Sequence, residues 1–526
     1  MNSSNLQILI AMIVYMAAVI AIGIVFAKRA NKSSEDYFLG GRSLGPWVTA
    51  MSAEASDMSG WLLMGLPGVA YWCGLADAAW TAIGLAIGTY LNWLIVSKRL
   101  RRYSIRANNS ITLPDFFSNR FRESEKNGKK VIMTLSAAFI LIFFTVYAAS
   151  CLVTCGKLFS TLFGAPYIAM MILGAVFVLV YTILGGFLAE SASDFMQSIV
   201  MIVALTAIVV IGTVSAGGLG EVINNAKSIP GFFDFFNLAT PELNAAGEQI
   251  VEGGKPVFGA ASNYGVLTIF SMMAWGLGYF GMPHILLRFM AIEDEAKLKL
   301  SRRIATVWVV FSMFIAIVIG VVGYSLVKNG VVTGLEDSER IIVAIAKIIA
   351  SFGPFAAIVA GVIISGILAS TMSTADSQLL AASSSMSHNI LKNVFAKNVT
   401  DKTLMLISRV SLLVIAVIGI FIAKNPDSSV FGIVSFAWAG FGATFGPVML
   451  AALFWKRSNR WGAMAGMLVG GIMIFVWKFC IKPFGGIWGI YELLPAFVCA
   501  AIAIVVVSLL TPKPEKEIVE EFESVC

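Results

Sequence analysis

The sequence predicts an all-α polytopic membrane protein of about thirteen spans. Three observations predict it. Apolar runs of the roughly 17–25 residues needed to cross a bilayer recur along the whole chain. Charged residues make up only 13% of the 526, against about 25% in soluble domains. No polar stretch is long enough to fold by itself, so the core must be the helix bundle, a single domain over 1–511 followed by the short tail 512–526.

In chain order the runs fall near 5–27, 45–70, 73–96, 131–160, 167–184, 188–214, 264–287, 304–327, 340–385, 404–423, 430–455, 461–478 and 487–510. The first is too long for a secretion signal, and its basic residues follow rather than precede it. The second, SAEASDMSGWLLMGLPG over 52–68, carries Glu54 and Asp57 among small residues and is interrupted by Gly60, Gly65, Pro67 and Gly68. The seventh is interrupted in the same way, by AWGLGYFGMPH over 274–284. The 340–385 run is too long for one straight span. Gly353–Pro354 predicts a break there, with an amphipathic entry before it and the span proper after it. Loop 215–263 is the longest, and its PGFFDFF stretch predicts that part of it packs on the bundle. The tail, KPEKEIVEEFES, reads as a solvated or frayed helix.

Charge gives the sidedness. With the N-terminus outside, the inner segments are 28–44, 97–130, 185–187, 288–303, 386–403, 456–460 and the tail from 511, and they hold 27 of the 37 Lys and Arg. That bias predicts an odd number of spans, N-terminus out and C-terminus in. The net charge of +7 lies in short loops, so a nucleic-acid face is not indicated. The six cysteines show no framework spacing and predict no structural disulfide. His284 and His388 cannot build a His-rich metal site. No nucleotide loop, haem motif, catalytic triad or metal-ligand spacing appears, and an enzyme is not expected.

The polar residues inside the spans are the functional candidates, because an ionisable group in hydrocarbon is costly. Asp57 either attracts a cation and organises a broken helix, or snorkels and caps one. Glu54 is nearer the start of the span. Ser370, Ser373, Thr374 and Ser377 fall at i, i+3, i+4 and i+7 and share one helix face. Their hydroxyls, with helix carbonyls, are the hard ligands that Na⁺ requires; the alternative is small-residue packing. Asp376 lies in the same run, and Asp194 opens the sixth span. Trp61, Tyr147, Trp275 and Tyr279 could line an apolar pocket or serve as anchors. Breaks in the second and seventh spans, five apart, point to an inverted-repeat transporter with a midplane site, or to plain packing.

SAEASDMSGWLLMGLPG, GGRSLGP (40–46), WGLGYFGMPHILLRFMA (275–291), MSTADSQLL (372–380) and SFAWAGFGATFGP (435–447) resemble the sodium/solute symporter family, in order, from about residue 33 to 510. The bacterial proline-carrying branch is the most similar. The resemblance implies a leucine-transporter-type core of five-plus-five inverted helices over about 45–455, preceded by one extra helix (5–27) and followed by two (461–510). It implies Na⁺ held by the carbonyls of Ala55, Met58 and Ser370 and the hydroxyls of Ser373 and Thr374, with Asp57 needed for coupling. It implies a proline pocket of Trp61, Tyr147, Trp275, Tyr279 and Pro283, and functional positions at Arg42 and Asp194. Met282 stands where that branch carries a glutamine, and Asp376 where it carries a small hydroxyl residue.

The expected function is inward Na⁺-coupled uptake of a small amino acid across a bacterial cytoplasmic membrane, with L-proline first among the substrates. Pantothenate, a monocarboxylate or a sugar are the alternatives, and an ion channel is the alternative class. The expected partners are solute, Na⁺ and the lipid bilayer, with no nucleic acid and no obligate protein. Asp376 and Asp194 either share a second cation or a proton, or Asp376 is simply solvated in a cytoplasmic vestibule.

Overall fold

A computed structural model of the protein describes residues 3–30, 33–123, 130–245, 249–335, 337–395 and 399–525. Ten helices among these are long and apolar enough to cross a membrane. They are α1 (Ser3–Ala30), α5 (Leu75–Arg106), α7 (Val131–Phe163), α9 (Gly186–Ser215), α13 (Glu295–Lys328), α15 (Pro354–Lys392), α16 (Lys402–Ile422), α17 (Val430–Phe454), α18 (Arg460–Phe484) and α19 (Leu493–Leu510). An eleventh span is the bent pair α11 (Val266–Gly281) and α12 (Pro283–Ala291), which meet at 46°. The two other expected spans are shorter helices. The run at 45–70 is split into α3 (Pro46–Asp57) and α4 (Trp61–Cys73). The run at 167–184 is α8 (Tyr167–Val180), which ends before the kink at Gly186, whose φ of +60° only glycine adopts without strain. Length alone therefore counts ten or eleven of the thirteen, because broken backbone shortens the rest.

The 340–385 run divides as its Gly-Pro pair predicts, into α14 (Ile341–Ser351) and α15, with Gly353 at φ +133° and Pro354 opening the second helix. The short helices α2 (Ser34–Leu39), α6 (Leu113–Arg120), α10 (Leu219–Lys227) and α20 (Lys516–Ser524) lie between or after the spans. Loop 215–263 adds two tiny antiparallel ladders to the all-α bundle, β1 (Asn237–Leu238) with β4 (Ser262–Asn263) and β2 (Val251–Glu252) with β3 (Lys255–Pro256). Of its PGFFDFF stretch only Phe232 is buried, against Tyr324 and Phe258.

Burial orders the bundle. The best buried 18-residue windows are those of α17, at 83%, and α15, at 72%, while that of α1 is 28% buried. Helix α1 presents one stripe, Ile8, Met12, Tyr15 and Val19, to α9 and α15, and gives its other faces to lipid. Glycines set the closest approach. Gly84 and Gly88 form a G-x-x-x-G face on α5 that meets α11. A Cβ on Gly88 would lie 2.3 Å from the Gly276 carbonyl oxygen, and one on Gly278 would lie 2.0 Å from Trp438 Nε1 of α17. The stretch Ala274–Gly281 is thus gripped between α5 and α17.

The expected inner segments gather on one face. Arg42 donates to the carbonyls of Met290 (2.7 Å) and Ser110 (2.8 Å). Arg102 pairs with Glu295 at 2.6 Å. His388 meets Asp115 at 3.1 Å, and Asn389 donates to Asp115 and Thr112. Burial works to raise the Asp115 carboxyl, but His388, the Thr112 hydroxyl and Lys130 outweigh it and hold it below its usual range. The tail departs from expectation. Helix α20 is docked rather than solvated: Ile518 and Phe522 are buried, Phe522 lies under the guanidinium groups of Arg99 and Arg120, and Arg122 pairs with Glu517 and Glu521.

Candidate functional site

The site forms where α3 stops. Met58 takes φ −81°, ψ 69° and leaves the helix, and the chain resumes at Trp61. Breaking a helix at membrane depth frees carbonyls that need other partners. Here side chains supply them. Trp61 Nε1 and the Tyr147 hydroxyl both donate to the Asp57 carbonyl at 3.2 Å. The Ala55 carbonyl accepts from Ser373 Oγ at 2.7 Å. Ser373 also donates to the Ser370 carbonyl at 3.1 Å, and Thr374 Oγ1 is buried with no hydrogen-bond partner. The carbonyls of Ala55 and Ser370 and the hydroxyl of Ser373 are therefore one contiguous oxygen set; Thr374 follows Ser373 in the chain, and Met58 lies three residues after Ala55.

The second break faces the first. Residues 274–281 form a 3₁₀ stretch, and its freed carbonyls are also taken by side chains: Trp438 Nε1 donates to the Trp275 carbonyl (2.8 Å) and Asn92 Nδ2 to that of Tyr279 (3.1 Å). The Tyr279 hydroxyl then reaches across to Asp57 and donates to Oδ2 at 2.6 Å, while Asp57 Oδ1 is buried without a partner. Trp275 lies 6.0 Å from Trp61 and 6.2 Å from Trp438, ring centre to ring centre. Pro283 is buried at the first position of α12, just past the 3₁₀ stretch. Glu54, on the turn before the break, accepts from Trp93 Nε1 at 3.1 Å.

Asp194 belongs to a neighbouring cluster of its own. Its Oδ2 accepts from Ser52 Oγ at 2.7 Å and from Arg288 Nη2 at 3.2 Å. Arg288 also pairs with Glu190 and donates to Ser377 Oγ (2.8 Å), Ser52 Oγ (3.1 Å) and the His284 carbonyl (2.9 Å). Glu190 and Arg288 escaped the sequence reading, which counted Arg288 as an inner-loop charge; its place within the apolar PHILLRFMA run was the available signal. Asp376 is 1% exposed, with Oδ1 accepting the Ser377 N–H at 2.8 Å, so the solvated-vestibule reading does not hold. Arg42 stands apart from all of this, among the expected inner segments, where it holds the carbonyls of Met290 and Ser110.

Comparison with known proteins gives the family and the fold. The family model described as the sodium:solute symporter family matches residues 37–470. The chain is 38% identical to the osmoregulated proline transporter OpuE of Bacillus subtilis, over 97% of this chain and 96% of that one. It is 41% identical to the sodium/proline symporter of Haemophilus influenzae, over 98% and 97% of the two chains, and 40% identical to that of Escherichia coli, over 98% and 95%. Among solved structures, a Na⁺-coupled sialic acid symporter in a substrate-bound outward-open state superposes with a TM-score of 0.73 over 97% of this chain and 99% of that one, at 16% identity. Mhp1, a nucleobase-cation-symport-1 family transporter, gives 0.52 over 93% and 98%, at 14% identity. Identities that low bear on the fold alone, and the fold is of the leucine-transporter type.

Proposed function

Because the chain belongs to the sodium:solute symporter family, we propose that it carries L-proline inward with Na⁺ by alternating access. The observation that carries the reading is the Asp57 break. One unwound turn is shared by an oxygen set suited to a small hard cation and by an aromatic cluster suited to a compact solute. Na⁺ would be held by the carbonyls of Ala55, Met58 and Ser370 and the hydroxyls of Ser373 and Thr374. Proline would lie against Trp61, Tyr147, Trp275 and Tyr279, near Pro283. The Ser373 hydroxyl that donates to Ala55 would turn its hydrogen away, so that both oxygens face the ion.

Coupling follows from the shared backbone. Trp61 and Tyr147 hold the Asp57 carbonyl, and the Ala55 carbonyl lies two residues back. A solute that settles the rings settles the carbonyls, and an ion that settles the carbonyls settles the rings. Each ligand therefore raises the affinity of the other by the same factor. Glu190, Arg288 and Asp194 would join α9 to α12 behind this break, while Arg42 would tie the inner ends of the helices together. The multi-pass chain sits in a bacterial inner membrane with its N-terminus outside on this reading, supported by the Lys and Arg bias. An inner-negative potential then adds about 2.3 kcal/mol per Na⁺ per 100 mV, roughly fiftyfold in accumulation.

The test is Asp57→Asn, which keeps shape and removes charge. Losing a charge-assisted contact of about 1.5–3 kcal/mol raises half-saturating Na⁺ about ten- to hundredfold, with membrane insertion unchanged. Unaltered Na⁺ dependence would sink the assignment.

A further inference from the structure

Helix α19 and the segment before it follow the implied repeat core, yet they reach the aromatic cluster. The Tyr491 ring stacks on Trp275 with centres 5.1 Å apart and planes 20° apart, the most parallel of that indole's ring contacts. Tyr491 is itself held at two further points. Its N–H donates to Ser271 Oγ of α11 at 2.7 Å, and its hydroxyl donates to the Ser435 carbonyl of α17 at 2.6 Å. The next residue, Glu492, is fully buried, forms an ion pair with Lys478 Nζ at 3.2 Å and accepts a hydrogen bond from Lys482 Nζ at 2.9 Å, both from the end of α18. The segment is thus anchored on both sides of the ring it presents. The Trp275 carbonyl is pinned by Trp438, but its Nε1 is a buried donor with no partner.

An indole has one donor, and its direction follows the plane of the ring. The contact that fixes the plane therefore fixes where Nε1–H points. We propose that Tyr491 is a positioning residue for the substrate pocket: by stacking on Trp275 it sets the indole plane, and with it the direction of the free Nε1–H toward an acceptor of the solute, such as a carboxylate oxygen. A residue outside the repeat core would then tune solute affinity without touching the ion. The inference rests on the assignment of Trp275 to the solute pocket.

The experiment measures radiolabelled proline uptake by the full-length protein in proteoliposomes for Tyr491→Leu, Tyr491→Phe, Trp275→Leu and the Tyr491→Leu/Trp275→Leu pair. Tyr491→Leu should raise half-saturating proline about two- to tenfold, the worth of one ring–ring contact. Maximal rate, and half-saturating Na⁺ at saturating proline, should stay within about twofold, a split that general misfolding does not produce. Tyr491→Phe keeps the stack and should remain within about twofold of the unaltered protein. In the Trp275→Leu background, Tyr491→Leu should add nothing. If Tyr491→Leu does not insert, Tyr491→Met, which keeps bulk and loses the ring, is judged by the same split. Unchanged proline dependence in Tyr491→Leu beside a raised one in Trp275→Leu overturns the proposal and leaves the pocket assignment standing, as do additive effects in the pair. Unchanged proline dependence in Trp275→Leu overturns the pocket assignment and the proposal with it.

Discussion

Replacing Arg288 with Met keeps length and packing but strands two carboxylates. Arg288, Glu190 and Asp194 are all at least 96% buried at their side chains. The 3.2 Å separation between Arg288 Nη2 and Asp194 Oδ2 corresponds to about 5 kcal/mol at an effective dielectric of about 20. Removing one partner of a buried ion pair costs about 3–5 kcal/mol, because an uncompensated charge stays behind. The two routes agree. At about 2.1 cal/mol/K of unfolding entropy per residue, a chain of 526 residues shifts by roughly 1 °C per kcal/mol, so the melting midpoint should fall by about 3–5 °C. The assay is thermal unfolding of the detergent-purified protein, read as loss of the monodisperse peak on size exclusion. Adding Glu190→Gln and Asp194→Asn to Arg288→Met should recover most of the loss, since the stranded charge, rather than the missing bonds, sets the cost. An Arg288→Met protein as stable as the unaltered one, or no recovery in the triple variant, would refute the reasoning.

Two further outcomes are expected. Ser373→Ala and Thr374→Ala each remove one oxygen from the proposed ion set, so half-saturating Na⁺ should rise about tenfold or more, while proline affinity returns at saturating Na⁺; an equal loss at every Na⁺ concentration would indicate a packing defect instead. Gly88→Leu places its Cβ 2.3 Å from the Gly276 backbone oxygen, so α5 and α11 must separate. Uptake should be lost and the melting midpoint lowered, and a fully active Gly88→Leu protein would show that this contact does not hold the second break in place.

What the sequence made legible was mostly local chemistry. The Gly353–Pro354 break follows from one residue pair, and the unwound turns at 57–61 and 274–281 follow from glycine and proline placed beside polar or aromatic residues. The Ser373–Ala55 contact joins residues far apart in the chain, and only the family resemblance implied it. Partners that depend on tertiary burial stayed hidden. Arg288 looked like one more inner-face charge until α12 carried it among Glu190, Asp194 and Ser377. Tyr491 looked like the start of an accessory helix, because nothing in its neighbourhood announces the indole it stacks on. The tail looked solvated because its few apolar residues, Ile518, Val519, Phe522 and Val525, sit among charges, and the Arg99 and Arg120 side chains that cover Phe522 come from distant segments.

The central claim is that one unwound turn couples Na⁺ to proline. The direct measurement is radiolabelled proline uptake into proteoliposomes of the purified protein, under an inward Na⁺ gradient, an equal inward K⁺ gradient and no gradient. The account predicts saturable accumulation above equilibrium with Na⁺ alone, abolished when the Na⁺ gradient is collapsed. Accumulation that is the same with K⁺, or proline entry that only equilibrates whatever the Na⁺ gradient, would contradict it.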